Sequence, residues 1–220
     1  MRNYHKNDLV KGGFLMKSNR KVIQGFSLVL FIILIVLGKV QLWMAIFGVS
    51  LLLSTYFGRF YCGYICPINT SMEVIDNNAD KNKRKRKIVP ETFKKPWIRY
   101  GVLILFLGTM IVVFKTGRKL PVLPVLFGLG IILTIFYKPE FWHRYLCPYG
   151  SLLSIFSKFN KKSYVVLDNN CIRCGKCVGS CPSDAIIWEN KKEYPNIINN
   201  ECLHCGKCKE VCPPETIKKL

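Results

Sequence analysis

Four stretches of the chain are apolar on every side and nearly free of charge. Val22 to Gly38 and Val40 to Phe57 carry no charged residue, with only Lys39 between them. Ile98 to Phe114 is the third, with Arg99 at its edge, and Leu120 to Tyr137 the fourth, with Pro121 and Pro124 near its start. Lengths of ~17–25 apolar residues cross a bilayer as a helix, and each run is about that long. Prolines are tolerated in a first helical turn, and membrane helices accept them more readily than soluble ones. A soluble bundle needs helices with a polar face, and none of the four runs has one. The pattern predicts four transmembrane helices, the first two joined as a tight hairpin.

Charge changes this picture from four spans to four oriented spans. The chain holds 33 Lys and Arg against 13 Asp and Glu, a net +20, and the basic residues lie in blocks between the apolar runs. A nucleic-acid binder shares such a charge but not the four runs, so nucleic acid is not the expected partner; membrane lipid is. Residues 1–21 carry Arg2, Lys6, Lys11, Lys17, Arg20 and Lys21. A signal peptide also begins basic, but no small-residue cleavage site follows the first run, so the segment reads as a cytoplasmic N-terminus. The two outer loops carry Lys39 and then Lys115, Arg118 and Lys119, whereas ten Lys and Arg run from Arg59 through Arg99 and thirteen follow Phe136. The positive-inside rule therefore predicts a multi-pass protein of the cell membrane with both termini and the central loop in the cytoplasm. The block Lys81-Asn82-Lys83-Arg84-Lys85-Arg86-Lys87 reads as a topology determinant lying on anionic lipid, or as a contact for an acidic redox partner.

Eight of the eleven cysteines fall in two copies of one pattern near the C-terminus. Cys171, Cys174, Cys177 and Cys181-Pro182 form the first, and Cys202, Cys205, Cys208 and Cys212-Pro213 the second, with identical internal spacing. Both read C-x2-C-x2-C-x3-C-P, the bacterial ferredoxin run, in which the fourth cysteine ligates the other cluster. Residues 165 to 220 thus resemble the two-cluster ferredoxins. The resemblance implies one [4Fe–4S] cluster on Cys171, Cys174, Cys177 and Cys212 and a second on Cys202, Cys205, Cys208 and Cys181. Zinc also uses C-x2-C pairs, but needs four ligands per site and usually separates its pairs by a longer loop. A disulfide framework needs an oxidising compartment, whereas the charge pattern puts these residues in the cytoplasm. The fold expected is an α-helical membrane domain of four transmembrane helices plus a small α+β two-cluster bacterial-type ferredoxin domain. The boundaries read as a basic N-terminus over 1–21, a membrane domain over 22–163 with cysteine loops at 58–72 and 140–152, and a ferredoxin domain over 164–220.

The remaining cysteines make a second set. Cys62 and Cys66 lie in Phe60-Tyr61-Cys62-Gly63-Tyr64-Ile65-Cys66-Pro67, directly after the second run, and Cys147 lies in Phe141-Trp142-His143-Arg144-Tyr145-Leu146-Cys147-Pro148, directly after the fourth. With the two loops aligned on their Cys-Pro pairs, Cys66-Pro67 meets Cys147-Pro148, Phe60 meets Phe141, Tyr64 meets Tyr145, and His143 stands opposite Cys62. The membrane part is a pseudo-repeat of two helices plus a cysteine loop, and copies of the same sense imply an axis near the membrane normal. Cys62, Cys66, His143 and Cys147 are a candidate additional redox or metal site, since imidazole replaces thiolate on iron or zinc. Holding metal, cycling as thiols and contacting a quinone are all open to them, as is a plain structural role at the membrane edge. Tyr61, Tyr64, Trp142, Tyr145 and Tyr149 read as an interfacial belt, with quinone stacking as the alternative. His5 and His204 carry little; His204 reads as a spacer inside a cysteine loop.

Duplicated C-x3-C-P loops after membrane helices, followed by a two-cluster ferredoxin tail, resemble the membrane polyferredoxins. That family includes the iron–sulfur quinol-dehydrogenase-type subunit of periplasmic nitrate reductase systems and the membrane protein that supports nitrous oxide reductase. The resemblance runs from Val22 onward and implies a membrane electron-transfer component serving a partner redox enzyme or reductase complex. The family pattern places a cysteine where this chain has His143. The sequence carries no nucleophile–base constellation and no nucleotide-binding glycine loop, so an electron-transfer subunit without its own catalytic site is expected. The alternative function is an assembly or redox-sensing factor for a metalloenzyme or membrane regulator.

Overall fold

The computed structural model describes residues 6–116, 121–160, 162–167, 170–190 and 192–219. Arg2, His5, Arg118, Lys119 and Leu120 lie outside them. The chain is mostly helical. Helix α1 (Lys6–Val36) joins much of the basic N-terminal segment to the first apolar run, and α2 (Gln41–Phe57) returns. Then come α3 (Phe60–Tyr64), α4 (Pro67–Lys81), a 3-10 turn (Glu91–Lys94), α5 (Pro96–Thr116), α6 (Val122–Phe136), a π-helical turn (Phe141–Leu146) and α7 (Pro148–Phe156).

Two of these helices are long and apolar enough to cross a membrane, through Asn19–Val36 and Pro96–Val113. Only 11% of the second stretch is buried, unlike the core helix of a soluble protein. The other two apolar helices, Gln41–Phe57 and Val122–Phe136, are 17 and 15 residues long, roughly 26 and 22 Å at 1.5 Å per residue. The fourth run is longer as sequence than as helix. Pro121 precedes the first helical residue, and Tyr137 is already extended at φ −119°, ψ 164°.

The pseudo-repeat is visible in the backbone. Cys66 caps α4 with φ −63° and ψ 117°, Cys147 caps α7 with φ −75° and ψ 111°, and each is followed by proline at the first helical position. Proline's fixed φ suits that position, where its missing N–H costs nothing. The helices after the loops exchange partners: α4 packs on α6, and α7 packs on α2. This exchange carries the two cysteine loops to the centre of the assembly. The copies differ locally, since α3 is a short α-helix and its counterpart Phe141–Leu146 a π-helical turn.

The C-terminal domain repeats too. Strands β1 (Tyr164–Val166) and β4 (Ile217–Lys219) pair antiparallel, Tyr164 opposite Lys219. Strands β2 (Ile186–Ile187) and β3 (Asn196–Ile197) form a second pair. Helices α8 (Lys176–Gly179) and α9 (Lys207–Glu210) pack together. Equivalent residues of the two halves share unusual backbone: Arg173 and His204 at φ 53° and 56°, Gly175 and Gly206 at 71° and 76°, Asp184 and Glu215 at 50° and 52°. Five of the eight run cysteines, Cys177, Cys181, Cys202, Cys208 and Cys212, pack with Tyr164, Ile186 and Ile217 in one core.

Candidate iron–sulfur site

Three cavities collect the cysteines. One is lined by Cys171, Cys174, Cys177 and Cys212, and one by Cys181, Cys202, Cys205 and Cys208. Each takes three cysteines from one run and the fourth from the other. The reason is local. A short helix that includes the third cysteine, and a Cys-Pro turn after it, carry the fourth away from its own loop, and the contact of α8 with α9 delivers it to its neighbour's. Sulfur contacts are matched in the two halves. The Ala185 N–H donates to Cys181 Sγ at 3.3 Å, and Cys212 Sγ lies 3.4 Å from Oγ1 of Thr216, the residue that takes Ala185's place in the second half. Among the described residues no three His, Cys, Asp or Glu side chains are grouped to hold a single metal ion. A cubane asks for something else, one thiolate on each of four irons around a volume. The two four-thiol cavities fit that group.

The second run is clamped to the helices and the first is not. Leu203 and His204 are each 2% exposed, while Cys174 is exposed and Ile172 is 64% exposed. A Cβ at Gly63 would fall on the carbonyl oxygen of Leu203, so the loop docks where α3 has no side chain. His204, expected to be a mere spacer, is instead wedged against Gly58, which ends α2 at φ 66°. Burial, with Lys219 and Arg59 nearby, lowers its pKa to about 4 and keeps the ring neutral. Arg20 Nη1 donates to the Cys205 carbonyl at 3.0 Å, and Gln24 Nε2 to the Gly63 carbonyl at 3.0 Å, tying α1 to both sides of the junction.

The strongest clamp is Glu201, directly before Cys202. Arg59 Nη1 donates to Glu201 Oε2 at 2.8 Å, Arg99 Nη1 to Oε1 at 2.6 Å, and Ser154 Oγ to Oε1 at 2.8 Å. Arg59 is wholly buried and also donates to the His143 carbonyl at 3.2 Å. Burial alone would raise the Glu201 carboxyl, but Arg59, Arg99 and Arg144 outweigh it and hold it below the ordinary carboxylate range. Sequence reasoning missed this group. Arg59 and Glu201 are 142 residues apart, and neither belongs to a motif.

The third cavity is lined by Cys62, Cys66, His143 and Cys147. The exchanged helices bring together all four members of the second set, and each is buried. Burial pushes the Cys147 thiol up to about 12, and the neighbouring Cys62 adds to the rise. Burial, with Arg59 and Lys207, lowers His143 to about 3 and leaves its ring neutral. Most of the aromatics expected as an interfacial belt are not one. Tyr61, Trp142, Tyr145 and Tyr149 are buried, and Phe47 meets the Tyr61 and Tyr149 rings edge-on at 5.3 and 4.6 Å. The exposed aromatics include Trp97, Tyr56 and Tyr100. The basic block is also partly folded inward, since Arg86 pairs with Asp76 and Asp80.

These cavities define an iron–sulfur protein with a ferredoxin-type domain, and comparison with known proteins agrees. A family described as "4Fe-4S binding domain" matches residues 40–88 and 120–165, and one described as "4Fe-4S dicluster domain" matches residues 165–219. The chain belongs to the polyferredoxin-like 4Fe–4S binding proteins. It is 32% identical over 168 residues to an uncharacterized protein of Methanocaldococcus jannaschii, covering 69% of this chain and 70% of that protein. A second uncharacterized protein of that organism is 29% identical over 146 residues, covering 64% of this chain and 58% of its own length. The methylamine utilization ferredoxin-type protein MauN of Paracoccus denitrificans is 24% identical over 144 residues, covering 59% of this chain and 50% of its own length. The chain thus spans between half and about two thirds of the length of these relatives. No solved structure matches it.

Proposed function

We propose that the chain is an integral membrane electron relay with two [4Fe–4S] clusters, ligated crosswise by Cys171, Cys174, Cys177 and Cys212 and by Cys202, Cys205, Cys208 and Cys181. The observation that carries this is the pair of four-cysteine cavities, each drawn from both runs. Bound there, each cluster takes up and returns one electron. The chain's own residues decide what the relay meets. Cys174 is exposed beside Arg173 and Lys176, which suits an acidic soluble redox partner at the first cavity. Leu203, His204 and Glu201 seal the second cavity's loop onto the helices, so the other partner, a membrane or extracytoplasmic redox enzyme or a quinone, is met through the membrane domain.

Four helices cross the cell membrane in this reading, with both ends and the ferredoxin domain in the cytoplasm. Outward apolar residues on the two shorter helices support it, Leu52 at 69% and Val125 at 62% exposure. A short span is accommodated by local bilayer thinning at a cost of fractions of a kcal/mol per Å. The ferredoxin-type name of a relative supports the relay function.

The test is made on the variant with Cys62, Cys66 and Cys147 all changed to Ser, purified without oxygen from membranes washed at alkaline pH. It should stay with the membrane and carry about eight irons and about eight acid-labile sulfides, the content of two cubanes. About four irons, or zinc in place of iron, would overturn the two-cluster assignment, and release by the wash would overturn the membrane one.

A further inference from the structure

We propose that Cys62, Cys66, Cys147 and His143 ligate a third iron–sulfur cluster, buried beneath the second run. The inference extends the relay reading. Three observations carry it. The cavity, like each of the two ferredoxin cavities, is bordered by four side chains that bind iron. His143 is 3% exposed, and its Nε2 is buried with no hydrogen-bond partner. Such a nitrogen is costly unless something binds it. The Cys147 sulfur accepts the Gly150 N–H at 3.4 Å, the same kind of contact that Ala185 makes to Cys181.

The surroundings suit a cluster better than a single ion or a thiol pair. No three of the described ligand side chains group for one metal ion, whereas a cluster spreads its ligands over several irons. Three thiolates bring negative charge into a sealed apolar shell, and that is costly without a counter-charge. Arg59 supplies one. Its wholly buried guanidinium donates to the His143 carbonyl at 3.2 Å and to Glu201, the residue before Cys202. Trp43, Trp142 and Tyr149 close the cavity against water. Its position continues the relay, because Cys62 precedes Gly63 and Cys202 precedes Leu203, and Gly63 and Leu203 are in contact. An electron leaving the second ferredoxin site therefore has a cofactor site directly below it, toward the membrane.

The test compares the wild type with the Cys62, Cys66 and Cys147 to Ser variant used above. The wild type should hold more iron than the variant, by about two to four atoms per chain, with sulfide in equal amount. Protein labelled with ¹⁵N in histidine should show nitrogen coupling to a paramagnetic centre by electron–nuclear double resonance. His143→Cys guards against a folding artefact, since it should keep the extra iron and sulfide while losing the nitrogen coupling. Its midpoint potential should fall, because histidine ligation raises the potential relative to thiolate. Equal iron in wild type and variant would overturn the proposal, as would extra iron without sulfide, zinc, or a Cys62–Cys66 disulfide. Each of those outcomes leaves the two ferredoxin clusters as the variant's iron content reports them.

Discussion

Glu201→Ala is expected to free the ferredoxin domain from the helices, costing about 3–5 kcal/mol, the usual cost of removing one partner of a buried ion pair. The carboxylate accepts from Arg59, Arg99 and Ser154, and the Arg59 side chain is 0% exposed, so the variant leaves a buried guanidinium with no carboxylate. In the cluster-loaded protein in lipid nanodiscs, hydrogen exchange should rise strongly across residues 199–208 and little across 171–181. Arg99→Ala should have a smaller effect, because Arg59 still holds the carboxylate. Unchanged exchange over residues 199–208 in Glu201→Ala would mean that something other than this ion pair docks the domain. The pH dependence has a definite sign. The folded carboxyl lies below its unfolded value, so the contribution is complete above the ordinary carboxylate range and disappears only as pH falls through the depressed value.

The second large effect is an exchange between the runs. Cys181→Ala should damage the cluster of Cys202, Cys205 and Cys208, and Cys212→Ala that of Cys171, Cys174 and Cys177. The geometry is on the cavity walls: Cys181 lines the second-run cavity and Cys212 the first-run cavity. The helices satisfy their own backbone hydrogen bonds, so the helical part should survive both substitutions. The ferredoxin domain is near the size at which an apolar core alone is marginal, so it should become protease-sensitive in each. The two variants should differ in where that sensitivity falls. Loss of the outer cluster exposes the Cys171–Cys177 loop, whereas the second-run loop is still held by Glu201 and by the packing of Leu203 on Gly63. Paramagnetic resonance of the reduced single variants checks the assignment. If Cys181→Ala removed the signal belonging to Cys171, Cys174 and Cys177, the crossed assignment would fail.

The parts legible in the sequence are the repeated ones. The repeat of the cysteine runs reappears as matched left-handed residues, and the repeat of the C-x3-C-P loops as matched cysteine caps. A repeat carries its own evidence, because the same local chemistry must be satisfied twice. Partner exchange between α4 and α6 and between α7 and α2 is not legible, since all four elements offer apolar surface and composition does not say which pair meets. Nor are Arg59 and Glu201, whose roles exist only once the chain has folded. His204 looks like an unconstrained loop spacer in sequence until its neighbour, Gly58, proves to have no side chain. The aromatic residues mislead for a related reason: rings at a membrane edge and rings around a cavity have the same composition, and packing alone separates them.

The relay itself is tested most directly by a redox titration of the Cys62, Cys66 and Cys147 to Ser variant, followed by electron paramagnetic resonance. The account predicts two one-electron centres, with spectra that broaden through spin coupling once both are reduced, because each cavity takes its fourth cysteine from the other's run and the short helices of the two runs are in contact. Uptake of a single electron, or two centres without mutual broadening, would contradict it.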